Sequence, residues 1–313
     1  MKNKVKQSAC GAVMIGLSLV SLPALAQDSA PVNTGEEISE TPAAEGKRLP
    51  ITLDVGGSYQ AQSDIDKGGD FSVSRFLAGV GLPVRFNDQF ALATTAKFEL
   101  ASFDFGGSAA NAWDTIDTLT LVSLLQYHID DKWSVYGGPI VRVSAESGAN
   151  FSKGWSGGGA VACNYRLNDT LTVGGGFVAV SQIEDDPLIL PIVTVNWRFA
   201  DEWKLLVGFN DLATAGYGAQ VTYDMGDFWT FGFGGQFHKS RFRLDTADAI
   251  GQETAFIMSL SATYKFSDAI AATGYVGMAT GGQLRVENSG GKHGVESDYD
   301  SAPIVGGKVS FKF

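Results

Sequence analysis

Histidine and cysteine are scarce in this chain, with three and two copies in 313 residues. Metal sites and hydrolytic sites that set an imidazole beside a serine or a water have little to draw on. Cys10 lies in an N-terminal apolar stretch, so the rest of the chain holds Cys163 alone and no internal disulfide is expected. Basic charge is short as well, 23 Lys and Arg against 34 Asp and Glu, which excludes nucleic acid as a partner. Beyond residue 26, no apolar run reaches the roughly 18 residues of a membrane-crossing helix. What is plentiful is glycine, at 39, and phenylalanine, at 20, which points to β structure.

The first residues read as a secretory signal. Lys2, Lys4 and Lys6 precede the apolar run "GAVMIGLSLV", and the small residues "ALA" end at Ala26. Losing those lysines would take the net charge from −11 to −14. Residues 27–49 are polar and acidic and contain proline, so a disordered periplasmic arm is expected there. From Pro50 onward, alternating segments are punctuated by short Asp-bearing turns between apolar residues: "FNDQF" (86–90), "IDDKW" (129–133), "LNDTL" (167–171), "FADEW" (199–203), "MGDFW" (225–229) and "FSDAI" (266–270). Asp and Asn suit tight turns because their side chains bond the local backbone. Longer polar breaks fall between these turns, among them 64–70, 105–117, 146–154, 184–187, 211–216, 245–252 and 288–301. This regular exchange of short and long connections is the pattern of an all-β, up-and-down antiparallel transmembrane β-barrel. About fourteen strands are expected over residues 50–313.

The two faces of each segment differ. In "ILPIVTVNWRF", Ile189, Val193, Val195, Trp197 and Phe199 oppose Thr194, Asn196 and Arg198. The apolar face suits lipid and the mixed face a lumen. Trp133, Trp197, Trp203 and Trp229 lie close to short turns and, with Phe311 and Phe313 of the terminal "KVSFKF", form an expected interfacial girdle. Lipid, lipopolysaccharide and, through the last strand, the outer-membrane insertion machinery are the expected partners. Parity turns Arg85, Arg166, Arg198, Lys204, Lys265 and Lys312 into the lumen near the short turns, a basic rim opposite most of the loop acids.

Several stretches, "YGGPIVRVSAESGA", "YRLNDTLTVGGGFVAVSQIEDDPLILPIVTVNWRF" and "RFRLD", resemble an uncharacterised family of bacterial outer-membrane β-barrels. The similarity covers most of residues 80–313. It implies an outer-membrane barrel of a Gram-negative bacterium and brings no activity and no site residues with it.

Few motifs carry chemistry. His238 with Ser240 is the one nucleophile-and-base pairing at a usable spacing, and a lumen-lining histidine explains it better; His128 is expected in the lumen and His293 in a loop. The "GGG" runs at 157–159 and 174–176 lack the following Lys-Ser or Lys-Thr and helix of a phosphate loop. Barrel curvature and room for aromatics account for them. The acids at 184–186 and 298–300 could hold divalent cations of the kind that bridge lipopolysaccharide, but they match no defined calcium loop, and solvated loop charge is the stronger reading. No enzyme activity, catalytic residue, cofactor or metal site is expected. The leading expectation is a passive pore for small hydrophilic solutes. The alternative is a structural or surface-interaction barrel whose lumen is filled by side chains; uptake of hydrophobic molecules would need an apolar lumen pocket that the sequence does not reveal. Deleting Phe313, or changing Phe313→Asp, is expected to lower the amount of heat-modifiable, folded protein in membranes; normal levels would contradict the reading of the terminal strand.

Overall fold

The computed structural model describes residues 50–109, 112–210, 216–290 and 294–313. The expected signal, the acidic arm and His293 lie outside the described residues. Fifteen strands are hydrogen-bonded in one antiparallel sheet: β1 (Thr52–Asp64), β2 (Asp70–Arg85), β3 (Phe90–Gly106), β4 (Thr115–His128), β5 (Trp133–Glu146), β6 (Trp155–Asn168), β7 (Leu171–Gln182) and β8 (Asp185–Arg198). They continue with β9 (Trp203–Asn210), β10 (Gly216–Met225), β11 (Trp229–Arg243), β12 (Ile250–Lys265), β13 (Ile270–Glu287), β14 (Val295–Tyr299) and β15 (Ala302–Lys312). Neighbours in sequence are neighbours in the wall, and β1 pairs with β15 from Thr52↔Lys312 to Gln60↔Ile304, which closes the ring. β14 pairs with β13 at Gly282–Val286 and β15 pairs with the same strand at Ile270–Ala279, so the two are halves of one interrupted strand. The wall is therefore a closed fourteen-stranded barrel. Closure follows from the solvent, because a sheet edge left open to hydrocarbon would strand its backbone donors and acceptors.

The short turns close as their sequences dictate. Asn87 Oδ1 accepts from the backbone N–H groups of Gln89 and Phe90 at 2.9 and 2.8 Å. Asp130 Oδ1 accepts from Trp133 and Lys132 at 2.7 and 2.8 Å. Those two N–H donors, Trp133 first, hold the Asp130 carboxyl below the ordinary carboxylate range. In "MGDFW" the left-handed position is Gly226, at φ 67°, where a side chain would be strained. The loop end is less open than the sequence implies. Asp298 and Tyr299 of the expected acidic loop are strand residues of β14, because Ser297 and Asp298 pair with Leu284 and Gln283. Trp113, within the expected loop 105–117, is only 5% exposed.

Large apolar side chains cover the outside. Ile189, Val161, Leu260, Phe177, Val276 and Val305 are 51–66% exposed, a surface that water would not tolerate and lipid does. Near the short turns, rings on adjacent strands pair at 4.6–4.8 Å: Trp133 with Tyr165, Phe90 with Tyr127, Trp203 with Tyr223 and Trp229 with Tyr264. Phe311 and Phe313 stack at 6.4 Å. Trp197 is likewise an outward, exposed residue. Glycines of the two "GGG" runs lie where strands nearly touch: a Cβ at Gly158 would stand 1.9 Å from Ala179 O, and one at Gly176 2.1 Å from Val161 O. Cys163 Sγ donates to Gly175 O at 3.7 Å within the same region.

One seam differs from the rest. β8 and β9 pair only from Val195↔Val207 to Arg198↔Lys204. Next to that pairing the Tyr217 hydroxyl stands in for a strand neighbour, donating to Val193 O at 2.6 Å while accepting from Val193 N at 3.0 Å. The expected sidedness, short turns toward the periplasm, predicts that a cysteine at Ser289 reacts with an impermeant thiol reagent on intact cells, in a Cys163→Ser background. Cysteines at Asn168 or Ser267 are expected not to react. Labelling of all three from outside would overturn the sidedness.

Candidate functional site in the lumen

Inward positions change character along the axis. At the loop end they are aromatic and aliphatic. Phe71, Val73, Phe103, Trp113, Ile116, Phe242, Ile257, Tyr299 and Ile304 form one buried cluster. Its rings bridge the lumen: Trp113 meets Phe103 at 5.5 Å and Phe242 at 5.3 Å, and Phe71 meets Tyr299 edge-on at 4.8 Å. A second inward patch, with Val122, Leu124, Tyr136, Ile140, Val178 and Ile192, lines β4–β8. Neither patch is legible as a pocket in the sequence, because parity places residues on the lumen face without showing which of them meet.

The mouth is latched from outside the aromatic layer. The ends of β5 and β11, far apart around the ring, meet in a parallel bridge at Ala145↔Arg243. Glu146 accepts from the backbone N–H of Asp114 and of Asp245, both at 2.8 Å, tying the β3–β4 and β11–β12 loops together. Arg243, 2% exposed, donates to Lys153 O at 3.2 Å, to Asp248 O, and to Glu184 Oε1 at 2.9 Å. Arg241 donates to Ile183 O at 2.8 Å and to Glu287 Oε2 at 2.6 Å. Lys153 also pairs with Asp248, whose carboxyl it holds below the ordinary range. Two arginines of the "RFRLD" stretch thus carry most of the closure. Of the acids singled out in sequence, Glu184 belongs to this latch.

Beneath the aromatic layer lies a charged one. Arg75 on β2 donates to Glu253 on β12 across the lumen at 2.6 Å, and His238 Nε2 on β11 lies 3.6 Å from the other carboxylate oxygen. Lys97 and Glu99 of β3 are 3.2 Å apart. Arg142 of β5 reaches over the lumen to donate to Ser240 Oγ of β11 at 3.1 Å. Ser240 therefore serves a guanidinium, which suits its reading as lumen lining. These groups border a cavity of about 50 Å³. The sequence reading omits Arg75, Lys97, Glu99 and Glu253; the available signal is charge within strands, at inward parity, far from any short turn.

The sequence-derived rim lies at the opposite end. The register puts Arg85, Arg166, Arg198 and Lys265 on inward positions just before short turns, Lys204 just after one and Lys312 beside the C-terminus, all at the same end. Lys204 pairs with Asp224 at 2.7 Å and Lys265 with Asp268 at 2.7 Å, while Arg85, Arg198 and Lys312 are exposed. The rim and the charged layer are thus separate: they sit at different depths and share no residue. Among the described residues no cluster of His, Cys, Asp and Glu is placed to hold a metal ion.

Closed walls, apolar outside and short turns at one end define an outer-membrane β-barrel. A family model described as a domain of unknown function, DUF6268, matches residues 122–292, and the chain belongs to that family. A search of curated proteins finds no match. Among solved structures, the chain is similar to a Pseudomonas aeruginosa FadL homologue, at 12% identity over 84% of this chain and 90% of that one, with a TM-score of 0.52. It is also similar to an outer-membrane channel of Pseudomonas putida F1, at 11% identity over 88% of this chain and all of that one, TM-score 0.47. A third similar structure is OmpT, an outer-membrane protein of Vibrio cholerae, at 14% identity over 88% and 100%, TM-score 0.40.

Changing Glu253→Gln leaves Arg75 buried without its counter-charge. The expected cost is about 3–5 kcal/mol, read from the urea midpoint of the folded, heat-modifiable band. Adding Arg75→Gln to it is expected to recover part of the loss. A single variant as stable as the parent would show that the cross-lumen pair is solvated.

Proposed function

We propose that this chain is a narrow outer-membrane channel for small hydrophilic solutes, held in a closed resting state by its outer mouth. The observation that carries the reading is the charged layer around a cavity inside a membrane-embedded wall. Ionised groups are costly to enclose in a dry interior and are retained where water and solutes reach them. A lumen meant only to be filled is better served by apolar side chains, which this chain uses a few residues further out.

In this reading a solute enters at the latched loops and passes the charged layer. It leaves through the basic rim on the periplasmic side. The N-terminal signal delivers the chain to the periplasm of a Gram-negative cell, and the terminal Phe311 and Phe313 present the last strand for insertion. Lipopolysaccharide then borders the loop end. The acidic arm, tethered beside the cationic rim, would reach a local concentration of about millimolar there and screen it loosely.

One observation favours the other reading, a structural barrel. The aromatic cluster and the latch both stand in the outer mouth and narrow it. The two readings separate in planar bilayers. Small discrete current steps are expected from the purified protein, and Arg243→Ala or Trp113→Ala should raise the open fraction by releasing the mouth. Silence from the parent and from both variants, all shown to be folded by heat-modifiability, would favour the structural barrel.

A further inference from the structure

The cavity of the charged layer has a polarity of its own. Four cations line it, Arg75, Lys97, Arg142 and Lys308, against two carboxylates, Glu99 and Glu253. The two carboxylates are already engaged, Glu253 by Arg75 and His238 and Glu99 by Lys97. The groups left over are mostly donors. Arg75 Nη1, Arg142 Nε and Ser58 Oγ are buried with no hydrogen-bond partner, while Lys97 Nζ, on a side chain only 4% exposed, lies 3.2 Å from Glu99. Buried donors without acceptors are rare in native structures and call for an occupant. Donors that converge from β1, β2, β3 and β5 call for one that only accepts.

Size and wall chemistry narrow the choice. A cavity of about 50 Å³ holds about three to five waters, or one carboxylate with a short tail. A planar carboxylate can take two N–H donors from a guanidinium and a third from an ammonium, and its charge suits a lining in which cations outnumber carboxylates. Phe103, Ile116 and Phe242 form the loop-end wall. They suit a methyl or short alkyl group and would leave one side of a phosphate without donors.

We infer that the cavity bounded by Arg75, Lys97 and Arg142 is a binding site for a short-chain monocarboxylate, and that it sets the selectivity of the channel. The second half of that statement rests on the channel reading above; the first half does not. The carboxylate sits with its oxygens on the three cations and its tail against Ile116 and Phe242. It enters as the anion and leaves unchanged, so no bond is made or broken. The rim, wider and wet, concentrates anions without selecting among them.

The test uses the purified full barrel in detergent and in planar bilayers, with acetate as probe and methylammonium and inorganic phosphate as controls. Titration calorimetry is expected to show acetate binding in the millimolar range, with phosphate much weaker and methylammonium absent. Arg142→Gln and Lys97→Gln should each weaken acetate by about tenfold or more, whereas Arg142→Lys should retain most of it. Should one glutamine variant fail to fold, the other carries the comparison. In bilayers, acetate should slow chloride current through the parent and lose that effect in the glutamine variants. Current without acetate binding would overturn the site and leave the channel standing. Acetate binding without current from any variant would keep the site and sink the channel. Equal binding of acetate and phosphate, or binding untouched by both glutamine variants, would also overturn the inference.

Discussion

The requirement that every backbone N–H and C=O find a partner within the chain governs this molecule from end to end. In hydrocarbon an unpaired group costs several kcal/mol, so the sheet has no choice but to return from β15 to β1. Everything distinctive is then pushed inward or to the rims. Fourteen strands enclose a lumen narrow enough for side chains from opposite walls to touch, as Arg142 and Ser240 do at 3.1 Å. The same constraint explains the Tyr217 hydroxyl at Val193, which satisfies both backbone groups of a residue next to the shortest strand pairing. A wall that cannot tolerate a gap in its ladder recruits a side chain to mend one.

The lumen is layered by chemistry. Aromatics seal the loop end, ionised groups occupy the layer beneath, and exposed cations ring the short-turn end. Each layer draws on a different balance. The aromatic layer gains from burying apolar area and from edge-to-face ring contacts. The charged layer is stable only because its members answer one another across the lumen. The latch of Arg241 and Arg243 is stabilising because guanidinium forks meet carbonyls and carboxylates of three separate loops. Its components are polar and reversible, which is the property a mouth that opens must have.

The fold was legible in the sequence because lipid imposes a strict alternation. The outward face of "ILPIVTVNWRF" has no role except to meet lipid, so parity there is unambiguous. The short turns were equally plain, since Asn87 and Asp130 close them by bonding their own backbone. The lumen was harder. Parity says that Phe71, Phe103 and Phe242 face inward, but nothing in a one-dimensional pattern says that rings thirty or more residues apart meet across the axis. Glu253 and Arg75 are 178 residues apart, a pairing that only closure creates. The rim was found because it sits beside the turns; the charged layer was missed because it sits within strands, far from any short turn. The acids at 298–300 were read as loop because Asp and Tyr in a polar stretch carry no apolar alternation, and pairing with β13 overrides that.

The central claim is that the cavity beside the buried Arg75–Glu253 pair is wet and communicates with the short-turn end while the loop end is latched. Ser58 lines the cavity on β1 and is 8% exposed. The direct measurement places a cysteine there, Ser58→Cys with Cys163→Ser, in an oriented planar bilayer and adds a small negatively charged thiosulfonate to one side at a time. The account predicts modification from the short-turn side, and none from the loop side unless Arg243→Ala releases the latch. No modification from either side, with the latch intact or released, would show a solid plug and contradict it.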